Sequence, residues 1–239
     1  SDGIKDYSYL IKFSKLKYIS FEVISDATVD ILLLGNNKDL RFFSGQFVNN
    51  FVDFSALGGF KKLRVLDVSY VSNIKDVAFA AALKELRRLD VSMTKISDIS
   101  PLKQAAALEH LDISQTSVKD LSPLSGLKKL VSINADNTEV AALPSGGFPA
   151  LRELRLFSTP ATDKAAAGFA KAHPKAKVFY GWKRMLIDAL AGADRLVVRN
   201  IEGCSPEGAA LVEIKNAEEI KKLLSLIDID EKNSGGYDA

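Results

Sequence analysis

Leu86-Arg-Arg-Leu-Asp-Val-Ser-Met-Thr-Lys-Ile-Ser-Asp-Ile-Ser-Pro-Leu102 and Leu108-Glu-His-Leu-Asp-Ile-Ser-Gln-Thr-Ser-Val-Lys-Asp-Leu-Ser-Pro-Leu124 are one phrase written twice. The opening four residues recur as Leu40-Arg-Phe-Phe43, Leu63-Arg-Val-Leu66, Leu130-Val-Ser-Ile133 and Leu151-Arg-Glu-Leu154, so successive copies begin 23, 23, 22, 22 and 21 residues apart. A fixed period in this range marks stacked structural units rather than one globular core. Such a stack exposes a ribbon of parallel strands, a surface better suited to binding than to catalysis.

Within one unit, Leu86, Leu89 and Val91 stand at i, i+3 and i+5. The alternation of 89 and 91 fits a strand with one buried face. Ile96, Ile99 and Leu102 then bring the chain back to the core along the opposite side. A single unit buries its leucines only against its neighbours and does not fold alone. The return segments carry helix-start chemistry. Ser100-Pro101 and Ser122-Pro123 each set a hydroxyl as N-cap before a proline at the first helical position, and Asp53 and Asp76 look similar. Short helices or 3-10 turns are expected there. Thr162 to Ala172 reads as a longer helix that stops at His173-Pro174, because proline disfavours helical geometry in the residue before it. Lys177 to Tyr180 then reads as the last strand of the stack.

These residues resemble the leucine-rich repeat pattern L-x-x-L-x-L-x-x-N/T-x-L. The ending Ile-Ser-Asp-Ile-Ser-Pro-Leu is similar to the 22-residue subclass of bacterial internalins. The likeness spans roughly residues 40 to 160. It implies an α/β fold, a solenoid with a parallel sheet on its concave face and short helices or 3-10 turns on its convex face. It also implies a protein-binding role. Thr94, Thr116, Thr138 and Thr159 occupy the position where the family usually has Asn. The first unit is irregular, with Gly45 at a core position among phenylalanines.

The organisation expected is a cap over 1–39, a solenoid over 40–181, a small α/β unit over 182–230 and a tail over 231–239. Leu16 to Phe21 and Thr28 to Leu34 read either as a degenerate repeat or as a hairpin, capping the stack in both cases. Downstream, Trp182, Leu186, Ala189, Leu190 and Ala193 share a helical face, followed by strand patterns at 194–199 and 210–215. Asn216-Ala-Glu-Glu219 has the form of a capping box that opens a last helix. Two strands are thin cover for a unit of their own, which implies docking on the last repeat or further strands beyond Ala239.

The chain has 32 basic and 30 acidic residues, a net charge of +2, which gives no reason to expect nucleic acid as a partner. No apolar run reaches the eighteen or so residues of a membrane helix, so no membrane insertion is expected. The lone Cys204 makes no internal disulfide, which favours a reducing, cytoplasmic compartment over secretion. The start at Ser1-Asp2-Gly3 reads as an artificial or processed end, compatible with a removed leader.

No catalytic signature of weight is found, neither a His-Glu-x-x-His nor a phosphate loop nor a Gly-x-Ser-x-Gly. His110 and His173 fall in different units on different expected faces, which argues against zinc, and no cofactor is expected. Cys204 beside a Ser-Pro turn reads as a small turn residue, with a reactive thiol as the sharper alternative. Gly58-Gly59 and Gly146-Gly147 read as return turns that need freedom in φ.

Residues between the buried leucines should point outward and stack across neighbouring units about 4.8 Å apart. One column reads Ser44, Asp67, Asp90, Asp112, Asn134, Arg155. A second reads Gln46, Ser69, Ser92, Ser114, Asp136, Phe157, and a third Phe42, Val65, Arg88, His110, Ser132, Glu153. Three aspartates in register repel by roughly 1 to 4 kcal/mol per adjacent pair. Either they are solvated and bonded to the serine hydroxyls, or they form an acidic groove for a basic protein or peptide. Tyr70, Met93 and Phe157 at its edge favour a protein partner over a small molecule. The alternative role is the targeting or regulatory part of a larger enzyme whose active portion lies elsewhere.

Overall fold

The computed structural model describes residues 7–21, 28–48 and 51–181, and the backbone of 196–199 and 211–214. The chain divides into two compact units, Ser1–Phe179 and Tyr180–Ala239.

The first unit is a solenoid. Its sheet contains β1 (Tyr18–Ser20), β3 (Phe42–Ser44), β5 (Val65–Asp67), β6 (Arg88–Asp90), β7 (His110–Asp112), β8 (Ser132–Asn134), β9 (Glu153–Arg155) and β10 (Lys177–Phe179), in that spatial order and all parallel. Two shorter strands, β2 (Val29–Asp30) and β4 (Phe51–Val52), pair in parallel beside it. The order follows the chain because each coil completes one turn before the next begins. The run at 16–21 is therefore the first rung of the parallel sheet and not half of a hairpin. A hairpin would need antiparallel pairing, whereas Tyr18 faces Phe42 and Ser20 faces Ser44 in parallel register.

Each strand of the eight-stranded sheet has three residues, of which the central one points inward. Phe43, Leu66, Leu89, Leu111, Ile133 and Leu154 form that inward row. Leu40, Leu63, Leu86, Leu108, Leu130 and Leu151 make a second buried row, and Ile96, Ile99 and Leu102 with their equivalents close the core from the return side. The phenylalanines of the irregular first coils are accommodated by Gly45. A Cβ there would meet the Phe51 ring at 2.3 Å.

The return segments are 3-10 turns, including Phe54–Gly59, Ala78–Ala82, Ser100–Gln104 and Ser122–Leu124. Their caps differ from the sequence expectation. Ser100 and Ser122 are the first residues of their turns, and their hydroxyls cap nothing. The aspartate two residues earlier does that work. Asp98 Oδ1 accepts from Ser100 N at 2.7 Å, Asp120 Oδ1 from Ser122 N at 2.8 Å and Asp76 Oδ1 from Ala78 N at 2.9 Å. A three-residue turn is too tight for the reach of an N-cap hydroxyl to its third residue, so a side chain set further back bonds the first N–H. Asp53 makes no such bond and lies in the left-handed region at φ 55°. In the last return, α1 (Asp163–Ala172) is a true α-helix, with Thr162 Oγ1 accepting from Ala165 N at 3.2 Å and His173 at its end. Gly147 takes φ 103°, as a return-turn glycine should, whereas Gly59 has nothing within 4 Å and no left-handed φ.

In the second unit, β11 (Leu196–Arg199) and β12 (Leu211–Ile214) form an antiparallel pair, with Leu196 opposite Ile214. The helical face from Trp182, the Cys204 turn, the Asn216 capping box and the tail lie outside the described residues.

Candidate partner-binding face

The outward residues of the sheet stand in the columns the period requires. Asp67 pairs with Asp90 and Asp90 with Asp112 across adjacent strands, followed by Asn134 and Arg155. Beside them run Phe42, Val65, Arg88, His110, Ser132 and Glu153. The parallel ladder fixes these neighbours through the backbone, so no side-chain interaction is needed to hold three carboxylates together.

Each aspartate is tied down by the serine two residues on. Ser69, Ser92 and Ser114 donate to Asp67, Asp90 and Asp112 from both backbone N and hydroxyl, at distances of 2.6 to 3.1 Å. The preceding and following coils add partners at the two ends of the row. Gln46 Nε2 donates to Asp67, and Asn134 Nδ2 donates to Asp112 at 2.8 Å. The middle carboxyl is held above the usual aspartate range. Burial is the main cause, hydrogen bonds from Ser92 oppose it, and the charges of Asp112 and Asp67 add to it.

In the column Gln46, Ser69, Ser92, Ser114, Asp136, Phe157, Gln46 and Ser114 are part-exposed and the others are not. Ser69 and Ser92 are buried because the strand ends at the aspartate and each serine folds back onto its carboxylate, which covers it. Asp136 is 7% exposed and Phe157 6%. Asp136 accepts from Arg155 Nε at 2.8 Å and from Phe157 N at 2.9 Å, and the Arg155 guanidinium lies 5.5 Å from the Phe157 ring centre. These three close the far end of the row; Asp136 and Phe157 support its surface from below.

The turn after each strand supplies the rim. Phe47, Tyr70, Met93, Gln115, Asn137 and Ser158 all adopt φ between 53° and 60°. Their steps equal those of the leucines, so the left-handed residue is a fixed part of the coil. The N–H of each of the first five donates to a carbonyl of the next coil, as in Tyr70 N to Ser92 O at 3.0 Å. The following threonine locks the turn, with Thr94 Oγ1 donating to Val91 O and Thr116 Oγ1 to Ile113 O, both at 2.6 Å. A left-handed backbone throws its side chain clear of the coil. Phe47 and Tyr70 are 44% and 40% exposed and stack with ring centres 4.1 Å apart. The sequence pointed to Tyr70 and Met93 but missed Phe47. The 23-residue step back from Tyr70 would have found it.

Arg88, Asp90, His110, Asp112, Asn134 and Glu153 surround a depression of about 160 Å³ on the sheet face. Drug-sized pockets run from ~300 to 1,000 Å³, so this one has room for a single protruding side chain. His110 Nδ1 is 2.8 Å from Ser132 Oγ, while His173 stacks on Phe169, so the two histidines do not meet. No group of three or more metal-binding side chains occurs among the described residues. A larger hollow of about 770 Å³ lies on the return side between Phe54 and Phe79. Its nearby polar groups are engaged locally, Asp76 by Ala78 N and the Asn73 amide by Phe51 O at 2.8 Å.

No family model matches the chain, and no curated protein is similar enough in sequence to count as a relative. Solved structures do match. An internalin (inlF) from Listeria monocytogenes superposes with a TM-score of 0.63 at 23% identity, over 74% of this chain and 51% of that one. An internalin C2 from the same organism gives a TM-score of 0.60 at 24% identity, over 70% and 77%. The plant peptide hormone receptor RGFR1, solved in complex with RGF2, gives 0.54 at 16%, over 73% and 30%. The chain thus spans about half the length of the first of these. The likeness shows the fold alone, a leucine-rich repeat solenoid.

Proposed function

We propose that the chain is a non-enzymatic interaction module that takes a protein or peptide on the open face of its sheet. The observation that carries this reading is the Asp67–Asp90–Asp112 row, with its middle carboxyl held partly buried between two like charges. A cation laid on that row would relieve repulsion the fold itself does not cancel. Phe47, Tyr70 and Met93 offer amphipathic surface at the rim, of the kind that dominates binding energy at interfaces. Arg88, His110, Asn134 and Arg155 complete the polar surround. The side-chain-sized depression favours a protruding Lys or Arg of a polypeptide over a free small molecule. The receptor–peptide complex among the structural neighbours shows the scaffold engaged with a ligand in another protein, and so supports the reading by analogy alone.

A displayed peptide library screened against the chain tests it. Enriched peptides should carry a basic residue, and Asp90→Lys with Asp112→Lys should abolish their binding while the circular dichroism spectrum stays unchanged. Retention of the same peptides by the double variant would remove this face from the account. The second compact unit, Tyr180–Ala239, supports a different reading, in which the repeats target an enzyme or effector. That reading requires an activity that survives loss of the sheet-face aspartates.

A further inference from the structure

The net charge of +2 hides an uneven spread of charge across the strand direction. On the side that feeds into the strands, the position two residues before the repeat leucine holds Lys38, Lys61, Lys84 and Lys128, and the next position adds Lys62 and Lys129. All six are exposed. On the side that leaves the strands, the equivalent coils carry the sheet-face aspartates and then the turn-capping Asp76, Asp98 and Asp120, which the exposed Lys75, Lys95 and Lys119 offset one for one. The lysine positions stack at about 5 Å per coil in the coils of Leu40, Leu63 and Leu86, are interrupted by Ala106-Ala107 before Leu108, and resume at Lys128-Lys129.

The guanidiniums on the basic flank are partly neutralised. Arg64 pairs with Glu85 at 3.0 Å and Arg87 with Glu109 at 3.2 Å, and Lys62 pairs with Asp39. Lys38, Lys61, Lys128 and Lys129 make no ion pair with any described residue. The charge left over is a row of ammoniums. At the first coil, Ile11 is 55% exposed and Phe13 44%, interleaved with exposed Lys12, Lys15 and Lys17.

We propose that this flank docks peripherally on an anionic phospholipid surface, with the lysine row over the headgroups and Ile11 and Phe13 at the acyl boundary. Compact ammoniums in an extended row suit the diffuse field of an anionic bilayer. A nucleic acid strand would call for free guanidinium forks and open ring faces for stacking. Here two of the forks are already paired, and the exposed hydrophobic side chains beside the lysines, Tyr9, Ile11, Phe13 and Tyr18, are the mixture of aromatic and aliphatic groups that suits a bilayer interface. No helix among the described residues is long and apolar enough to cross a membrane, so the attachment is superficial. The Asp67–Asp90–Asp112 row then lies off the docked flank.

Co-sedimentation with vesicles tests this independently of peptide capture. The chain should pellet with phosphatidylcholine–phosphatidylserine vesicles and not with phosphatidylcholine alone, and the bound fraction should fall as salt shortens the screening length. Each lysine near such a surface contributes about fivefold to partition. Lys38→Glu, Lys61→Glu, Lys128→Glu and Lys129→Glu together should therefore weaken binding by at least about a hundredfold. The matching four Gln substitutions give a smaller loss and serve if the reversed set fails to fold. Ile11→Ser with Phe13→Ser should weaken binding with the lysines intact, and Asp90→Lys with Asp112→Lys should not weaken it. Equal binding to both vesicle types, binding to neither, or a lysine-dependent capture of single-stranded DNA without any serine-lipid dependence would overturn the proposal.

Discussion

Asp90 has a near twin one strand beyond its row. Asn134 occupies the same position two coils on, and its Oδ1 accepts from Asp136 N at 3.2 Å, as Asp90 Oδ1 accepts from Ser92 N at 3.0 Å. The fold therefore tolerates an uncharged amide at this position. Because burial and two flanking carboxylates hold Asp90 above its ordinary range, the folded state binds a proton more tightly there than the unfolded chain does. The sign follows from linkage. Stability contributed by this group is greatest in acid and declines as pH rises from the ordinary carboxylate range through the raised folded value. Asp90→Asn should accordingly raise the melting temperature at neutral pH, and the gain should vanish at about pH 3, where the aspartate is itself protonated. A lower melting temperature for Asp90→Asn at neutral pH would show that the hydrogen bonds from Ser92 outweigh the repulsion.

At the scale of the element, the capping aspartates decide where each return begins. Asp98→Ala should cost about 0.5–2 kcal/mol, the usual loss when a helix-start acceptor is removed. Ser100→Ala removes one exposed bond, from Ser100 Oγ to Asp98 Oδ2, and should fall within about 0.5 kcal/mol of the parent. Denaturant unfolding of the two variants separates them. The strands and return turns were legible in the sequence because leucine, isoleucine and proline recur at fixed offsets. The cap residue was not, since Asp-x-Ser-Pro offers two acceptors and only the turn's tightness chooses between them. The burial of Ser69 and Ser92 was not legible for a related reason. Alternation along a strand predicts that Ser92 follows Asp90 to the outside, but the strand stops at Asp90 and Ser92 folds back onto its carboxylate, which covers it. Phe47 was hidden by the irregular first coils, where phenylalanines stand in for leucines. Gly45 shows how those coils fit, since it clears space for the Phe51 ring.

Over the whole molecule, stability is carried between neighbours. Leu111 lies in β7 at 2% exposure, near the middle of the eight-stranded sheet. Leu111→Ala should destabilise by about 2–5 kcal/mol. Since each coil is buried only by the coils beside it, the damage should be graded along the stack. Hydrogen exchange should quicken most at the amides of β6 and β8 and least at those of β3 and β10. Uniform acceleration along the sheet would instead mean that the solenoid opens as one cooperative body. The architecture was readable because every coil repeats the same solution. A partner was not, because the leucine positions that define the period are the ones a partner never touches.

The left-handed turns have a consequence of their own. Glycine would relax the backbone at such a position, where other residues bear a strain of about 1–2 kcal/mol each. None of the six turns from Phe47 to Ser158 uses it. Each instead keeps a side chain at the edge of the scaffold, outside the rows of leucines. That makes the rim an alphabet of six letters that can be respelled without disturbing the leucines. A change of binding specificity would need no new fold, only a new word.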